Sequence, residues 1–223
     1  MPMLVAGLTG QGLGFVISIL MFASYMRRMI QYGLPSPTSR PGMFISVGPP
    51  SFTALALIEL ARAYPKESTS FGDNETTRQV VLILATFMSI FIWSMSFWFF
   101  TISLLAVLAV ARDLTFRLNW WAFVFPNVGF TIATINIGEV FGSQGVQWVG
   151  SVMSILLVAT YLFVACMHVR AVARKQILWS GLDEDFHVEE QKKKKERRES
   201  ALENAVEVKR MLSSKEDDEE GAS

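Results

Sequence analysis

Cysteine and histidine are nearly absent from this chain of 223 residues, and their scarcity excludes several classes of protein. Cys166 is the only cysteine, so neither a disulfide framework nor a cysteine-rich metal site can form within the chain. His168 and His187 are the only histidines and lie far from any acidic cluster on the same span, which excludes a histidine-based triad and a HExxH zinc site. Without a nucleophile–base pair or a phosphate-binding loop, the sequence predicts neither an enzyme nor a cofactor.

Charge of either sign is sparse before His168 and abundant after it. The 20 basic and 20 acidic residues cancel, but this zero is an average over two dissimilar regions and indicates no nucleic-acid partner. The composition, 51% hydrophobic with 17 Phe, is typical of a membrane protein. We therefore predict a transmembrane domain over residues 1–170 and a charged, largely disordered cytoplasmic tail over 171–223. The alternative for the tail is docking of Lys192–Arg198 on anionic membrane lipid.

Long hydrophobic runs set the number of spans. A hydrocarbon core of about 30 Å requires about 20 apolar residues in a helix. Five segments meet this length: residues 3–26, 42–64, 79–111, 119–141 and 146–169. The third is long, but no Gly, Pro or charge interrupts it, so we treat it as one tilted or protruding helix. The predicted fold class is an all-α, polytopic helical membrane protein with five transmembrane helices.

The distribution of arginine predicts the orientation of these spans. Cytoplasmic connections carry an excess of Lys and Arg, which places residues 27–41, residues 112–118 and the tail inside. The connections 65–78 and 139–146 are poorer in base and face outside; the first contains the sequon Asn74-Glu75-Thr76. The N-terminus then lies outside and the C-terminus in the cytoplasm. Because the chain enters an apolar span without a basic leader, we expect no cleaved signal peptide and expect further sequence upstream.

Prolines interrupt two of the spans. Pro126 follows the start of the fourth span, and Pro49 and Pro50 follow the start of the second. Each proline removes a backbone hydrogen bond and exposes a half-helix end, which attracts anions. A membrane tolerates such a break where the helix lines a cavity. The alternative is an ordinary kink between packed helices.

Polar side chains follow these prolines at helical spacing. Asn127, Thr131 and Thr134 share one face at i, i+4 and i+7. They line a permeation path or, with equal support, form hydrogen bonds between helices. Ser51 on the second span is a weaker candidate, since serine is common in spans. Glu59, with Arg62, lies near an outer helix end, where we expect the side chains to snorkel to the interface.

Several strings resemble one known family in order and without a large gap. They are Gln11–Phe15, Arg40–Phe44, Val47–Pro50, Ala54–Ile58, Phe91–Trp93, Trp121–Phe130 and Asp183–Asp185. Together they resemble the fungal malic acid transporters of the C4-dicarboxylate transporter and tellurite-resistance family, which is related to the plant slow-type anion channels. The resemblance covers about residues 5–187 and only the C-terminal half of the family fold.

This resemblance implies a fold of ten transmembrane helices arranged as five hairpins. Odd-numbered helices line a central pore, which proline kinks and a phenylalanine constrict, and both termini are cytoplasmic. The present chain resembles helices six to ten. Its second and fourth spans would be pore helices, its third and fifth would belong to the outer ring, and Phe125 matches the pore phenylalanine.

The resemblance also implies a function and its alternatives. The expected function is transport of small organic anions, above all malate and other C4-dicarboxylates, across the plasma membrane. One alternative is a sulfite or inorganic-anion exporter of the same family. Another is a truncated, non-transporting fragment that pairs with full-length relatives, and a homo-oligomer is a further open arrangement. The resemblance does not include the first five helices of the family fold, which carry three of its five pore-lining helices, so an enclosed path requires more than this chain.

Overall fold

The computed structural model describes residues 2–65 and 74–174. Five α-helices follow one another along the chain: α1 Pro2–Tyr32, α2 Gly48–Arg62, α3 Asn74–Leu108, α4 Phe125–Val140 and α5 Gln144–Ala173. Two 3₁₀ helices, Pro37–Val47 and Leu118–Phe123, precede α2 and α4. The described residues contain no strand, and the predicted all-α fold is confirmed.

Residues 1–169 form one compact unit, and residues 170–223 form a second, of which the structure describes only residues 170–174. Several expectations from the sequence therefore lie outside the described residues. They are the disorder of the tail, the lipid docking of Lys192–Arg198, the family-like string Asp183–Asp185, His187, and most of the connection 65–78.

The five predicted spans are confirmed as five helical segments long and apolar enough to cross a membrane. Their ends differ from the expected ones. α1 continues past the Arg27-Arg28 pair to Tyr32, and Gly33, whose φ is 75°, ends it. The Gly33 N–H donates to the Met29 carbonyl at 3.0 Å, the contact of a left-handed C-terminal cap. Sequence patterns locate an arginine pair easily, but the last helical residue depends on such a cap.

The prolines lie at helix starts rather than inside continuous α-helices. α2 begins at Gly48 and α4 at Phe125, and each has proline in its first two positions, where a missing N–H costs nothing. The span before each start is a 3₁₀ helix. The second and fourth spans are thus each made of two segments of different pitch, which meet at the proline.

Helices α2 and α4 lie at the centre of the first unit. Of the most apolar stretch of the second and fourth spans, 50% and 56% is buried. The corresponding share is 0% for α1 and 22% for α3. The largest core cluster joins α1, the first 3₁₀ helix, α3 and α4 through Phe22, Phe44, Phe99 and Phe130. The second and fourth spans are thus the most buried of the five, and their expected role as pore helices stays a prediction.

Small polar residues recur along a buried side of α3. Ser89, Ser96 and Ser103 recur every seven residues and are almost completely buried. The Ser89 hydroxyl donates to the Ala54 carbonyl of α2 at 2.8 Å. Small side chains let two helix backbones approach closely, which is the main source of packing between helices in a membrane.

Two side-chain contacts fix the segment before α2. The Arg40 guanidinium donates to the Ala106 carbonyl near the C-terminus of α3 at 2.8 Å and to the Pro35 carbonyl at 3.1 Å. The Asn119 amide donates to the Thr38 carbonyl at 2.8 Å. Helix-terminal carbonyls have no partner in their own helix, so these donors satisfy groups that the bilayer could not.

Candidate functional site

The two proline-containing helix starts meet and form a groove. A Cβ added to Gly48 would lie 3.6 Å from Pro126 Cβ, so α2 and α4 are in van der Waals contact at their first turns. The groove beside this contact has a volume of about 520 Å³. Its walls come from both helices and from the 3₁₀ helices before them: Ile45, Gly48, Pro49, Phe52, Leu118, Asn119, Trp121, Ala122, Phe125 and Pro126.

Phe125 projects into this groove as an exposed ring. Phe125 is 70% exposed, although Pro126 beside it is buried. The nearest aromatic partner is Phe52 of α2, with ring centroids 5.4 Å apart. A large apolar ring held at the junction of two helices can occlude a narrow passage, because it excludes water from the space it fills.

Weak dipoles dominate the electrostatics of the groove. None of the described residues that line it carries a charge; Asn119 and Trp121 provide its polar side chains. Gly48, Pro49, Phe125 and Pro126 in the first turns of α2 and α4 line it, and the start of an α-helix favours negative charge. Such a site attracts a small anion without binding it tightly, as conduction requires.

The structure brings Pro49, Phe125 and Pro126 together, but it places Asn127 and Thr131 elsewhere. These two residues line a separate cavity of about 310 Å³, with wall residues from α3 and α5. At 100° per residue, Asn127 lies about 200° around α4 from Phe125, on the opposite face. The Asn127 amide donates to the Phe123 carbonyl at 2.9 Å and so supports the backbone beside Pro126.

Thr134 and Ser51 form hydrogen bonds within the helix packing. The Thr134 hydroxyl accepts from Trp93 Nε1 at 2.8 Å and donates to the Phe130 carbonyl. This is the interhelical alternative that the sequence left open. Ser51 is completely buried, and its hydroxyl donates to the Val47 carbonyl at the junction between the 3₁₀ helix and α2.

A charged network joins the C-terminal ends of α2 and α4. Arg62 donates to Glu59 at 3.0 Å and to Glu139 at 3.2 Å, and the buried Asn136 donates to Glu59 at 2.6 Å. The sequence predicts that Glu59, with Arg62, snorkels to the interface near an outer helix end, and it does not predict the contacts with Glu139 and Asn136. Their 77-residue separation along the chain conceals the contact, and only the opposite charges near two outer helix ends could have suggested it.

Phe52 and Gly129 were not among the site residues predicted from the sequence. Phe52 lines the groove three residues after Pro49, and Gly129 lies one turn after Phe125 on the same face of α4. The available signal was this helical spacing from the prolines. Phenylalanine is too common in the chain, with 17 occurrences, for one position to stand out.

The sequence of the chain matches a known protein family. Residues 1–169 match the family model described as voltage-dependent anion channel. The chain belongs to this family. The resemblance inferred from the sequence is therefore confirmed, and this anion-channel family member is a multi-pass membrane protein.

Individual relatives of this anion-channel family member agree. It is 36% identical to the malic acid transport protein of Schizosaccharomyces pombe over 83% of the chain and 43% of that relative. It is 34% identical to a putative malic acid transport protein of the same organism over 97% of the chain and 48% of the relative. An uncharacterized transporter of Methanocaldococcus jannaschii is 25% identical over 63% of the chain and 38% of that protein.

The chain spans about half the length of the curated relatives from Schizosaccharomyces pombe. No solved structure matches it significantly. The family is therefore shown by sequence similarity, and the geometry of the groove is that of this chain alone.

Proposed function

We propose that this chain provides part of the wall of a path for small organic anions, with malate and other C4-dicarboxylates as substrates. In this proposal α1 to α5 correspond to helices six to ten of a ten-helix fold, and α2 and α4 are pore helices. The observation that carries it is the groove at the contact of Gly48 with Pro126, which the exposed Phe125 ring lines. Membership of the anion-channel family and identity to malic acid transport proteins support it.

The substrate binds weakly in the groove through its fit to the helix starts. A dicarboxylate placed there meets the positive ends of two helix dipoles and few competing charges. Pro49 and Pro126 let both helices begin at the groove without leaving unsatisfied N–H groups there. The anion loses part of its hydration at Phe125 and regains it beyond the ring, so passage depends on the position of that ring.

The proposed location is the plasma membrane, with the tail from residue 170 in the cytoplasm. The basic residues Arg27, Arg28 and Arg40 flank the segment between α1 and α2, and Arg112 and Arg117 flank that between α3 and α4. Under the positive-inside rule both segments face the cytoplasm. The charged network of Arg62 then lies at the outer face.

Uptake of radiolabelled malate tests the proposed substrate class. The full-length natural protein, expressed in cells deficient in malate uptake, should give saturable uptake above vector. Unlabelled C4-dicarboxylates should compete, and monocarboxylates of similar size should compete less, because one carboxylate meets only one of the two helix ends. Absence of uptake from protein that reaches the membrane would contradict the proposal, and so would equal competition by both classes.

A further inference from the structure

Phe52 contacts two parts of α4 at once. Its ring centroid lies 5.4 Å from that of Phe125, with the ring planes inclined by 33°. The same ring covers Gly129: a Cβ added there would lie 3.0 Å from two Phe52 ring carbons and 3.1 Å from a third. Real Cβ atoms are rarely that close to a neighbour, so the ring occupies this place only because residue 129 lacks a side chain.

We propose that Phe52 is a positioning residue for the constriction, which holds the ring of Phe125 in the groove, and that Gly129 is the surface on which Phe52 rests. The inference rests on the proposed function, in which the groove lies on the anion path. It assigns the constriction to a pair of rings from two helices rather than to one ring.

The exposure of Phe125 makes a support necessary. Since the residue is 70% exposed, few contacts restrict its rotation about χ1. Its recorded ring partner among the described residues is Phe52. An offset aromatic pair favours one relative position of its two rings, so Phe52 limits the orientations that Phe125 adopts.

The arrangement also connects the constriction to the spacing of two helices. Phe52 belongs to α2, whereas Phe125 and Gly129 belong to α4. A change in the separation of α2 and α4 moves the Phe52 ring relative to its seat on Gly129 and to Phe125. The close contact of Gly48 with Pro126 keeps this separation small at the same end of the helices.

The test compares single and double variants of the full-length protein, with malate flux divided by surface abundance. Phe52→Ala frees Phe125 and should raise anion leak by about fivefold, the effect of losing one aromatic pair. Gly129→Ala pushes the Phe52 ring into the groove and should lower the flux. In the Phe52→Ala background, Gly129→Ala should have no further effect, because no ring remains to be displaced.

A glycine of α5 that packs against α4 provides the matched control. A Cβ at Gly150 of α5 would lie 2.6 Å from Ile135 Cγ1, away from the groove residues. Gly150→Ala should therefore lower surface abundance and leave the flux per molecule unchanged in both backgrounds. A merely structural role of Gly129 would give the same pattern as this control.

The outcomes separate this inference from the proposed function. Equal effects of Gly129→Ala with and without Phe52 would overturn the inference, and so would additive effects of Phe52→Ala and Phe125→Ala. Leak in Phe125→Ala without leak in Phe52→Ala would overturn it while the proposed function stands. Absence of anion flux from both wild type and Phe125→Ala would overturn both. If Gly129→Ala does not reach the membrane, the additivity of the two phenylalanine variants decides.

Discussion

At the scale of single residues, most polar side chains in the spans satisfy carbonyls of their own span. Ser18, Ser51, Thr53 and Asn127 each donate to the carbonyl four residues earlier. A bilayer offers no water to these groups, so a hydrogen bond within the span avoids the free-energy cost of an unsatisfied polar group. A polar residue in a span is therefore weak evidence for a substrate site unless it also faces a groove.

Thr134 offers a direct test of this view. Thr134→Val removes the acceptor of the Trp93 indole N–H and should destabilise the full-length protein by about 0.6 to 1.7 kcal/mol. Malate flux per molecule should not change, because Thr134 lies away from the face of α4 that carries Phe125. The measurements are the unfolding temperature in detergent and the flux.

Thr101→Val is the matched control, since the Thr101 hydroxyl donates only to the Phe97 carbonyl of its own helix. It should cost less stability than Thr134→Val. A larger effect of Thr134→Val on flux than on stability would show that Thr134 belongs to the permeation path after all.

At the scale of helices, α2 and α4 form a pair that is tied at both ends. Gly48 meets Pro126 at the first turns, and Arg62 links the last turns through Glu59 and Glu139. The carboxylates of these ion pairs are about half exposed, so each pair contributes little by itself. The Arg62–Glu139 pair joins the two helices, whereas the Arg62–Glu59 pair lies within α2.

Removing the shared cation should therefore cost more than removing one acid. Arg62→Gln leaves Glu59 and Glu139 close together without their partner, whereas Glu139→Gln leaves the Arg62–Glu59 pair intact. We expect a loss of up to about 1 kcal/mol for Arg62→Gln and less for Glu139→Gln. The difference should shrink in 1 M salt, where charges are screened within about 3 Å.

Thermal unfolding of the full-length protein at low and high salt provides the measurement. Glu75→Gln is a control, because its ion pair with Arg78 lies within α3 and joins no second helix. A larger loss for Glu139→Gln than for Arg62→Gln, or a loss that does not respond to salt, would contradict the proposed tie.

How much of the structure can be predicted from the sequence depends on how far apart in the chain the interacting residues lie. Apolar length depends on local chemistry, so the five spans could be predicted from the sequence, whereas the roles of Pro49, Pro126 and Phe125 stay predictions. The packing of Phe52 against Gly129 could not be predicted, because the two residues belong to different helices and lie 77 positions apart in the chain. The 3₁₀ starts of the second and fourth spans were also missed, because pitch depends on packing as well as on proline.

The angular positions of the polar residues on α4 relative to Phe125 could have been derived from the sequence. The grouping of Asn127, Thr131 and Thr134 with Phe125 overlooked their positions about 200° apart on a helical wheel. The structure places Asn127 and Thr131 at another cavity and Thr134 against Trp93. Their part in permeation stays a prediction, and their observed contacts are structural.

At the scale of the whole molecule, burial separates inner from outer helices. α2 and α4 are half buried, whereas α1, α3 and α5 expose long apolar faces such as that of Phe87, Phe91 and Trp98. Such faces are stable against lipid or against further helices. The predicted orientation follows from the arginines at the ends of these helices.

Cysteine labelling in intact cells tests this orientation. In a Cys166→Ser background, Ser70→Cys in the connection before α3 should react with a membrane-impermeant reagent from outside. Ser36→Cys, between α1 and α2, should react only after permeabilisation, because the adjacent Arg-rich segment faces the cytoplasm. The reverse pattern would contradict the topology.

The central claim is that the ring of Phe125 closes an anion path where α2 and α4 meet. The most direct measurement is malate flux per surface molecule in the full-length protein with Phe125→Ala or Phe91→Ala. Phe91, at 73% exposed, matches Phe125 at 70% but lies on α3. A methyl group cannot fill a passage that a ring closes, so Phe125→Ala should raise anion leak severalfold while Phe91→Ala leaves it unchanged. Equal flux in the two variants would contradict the claim.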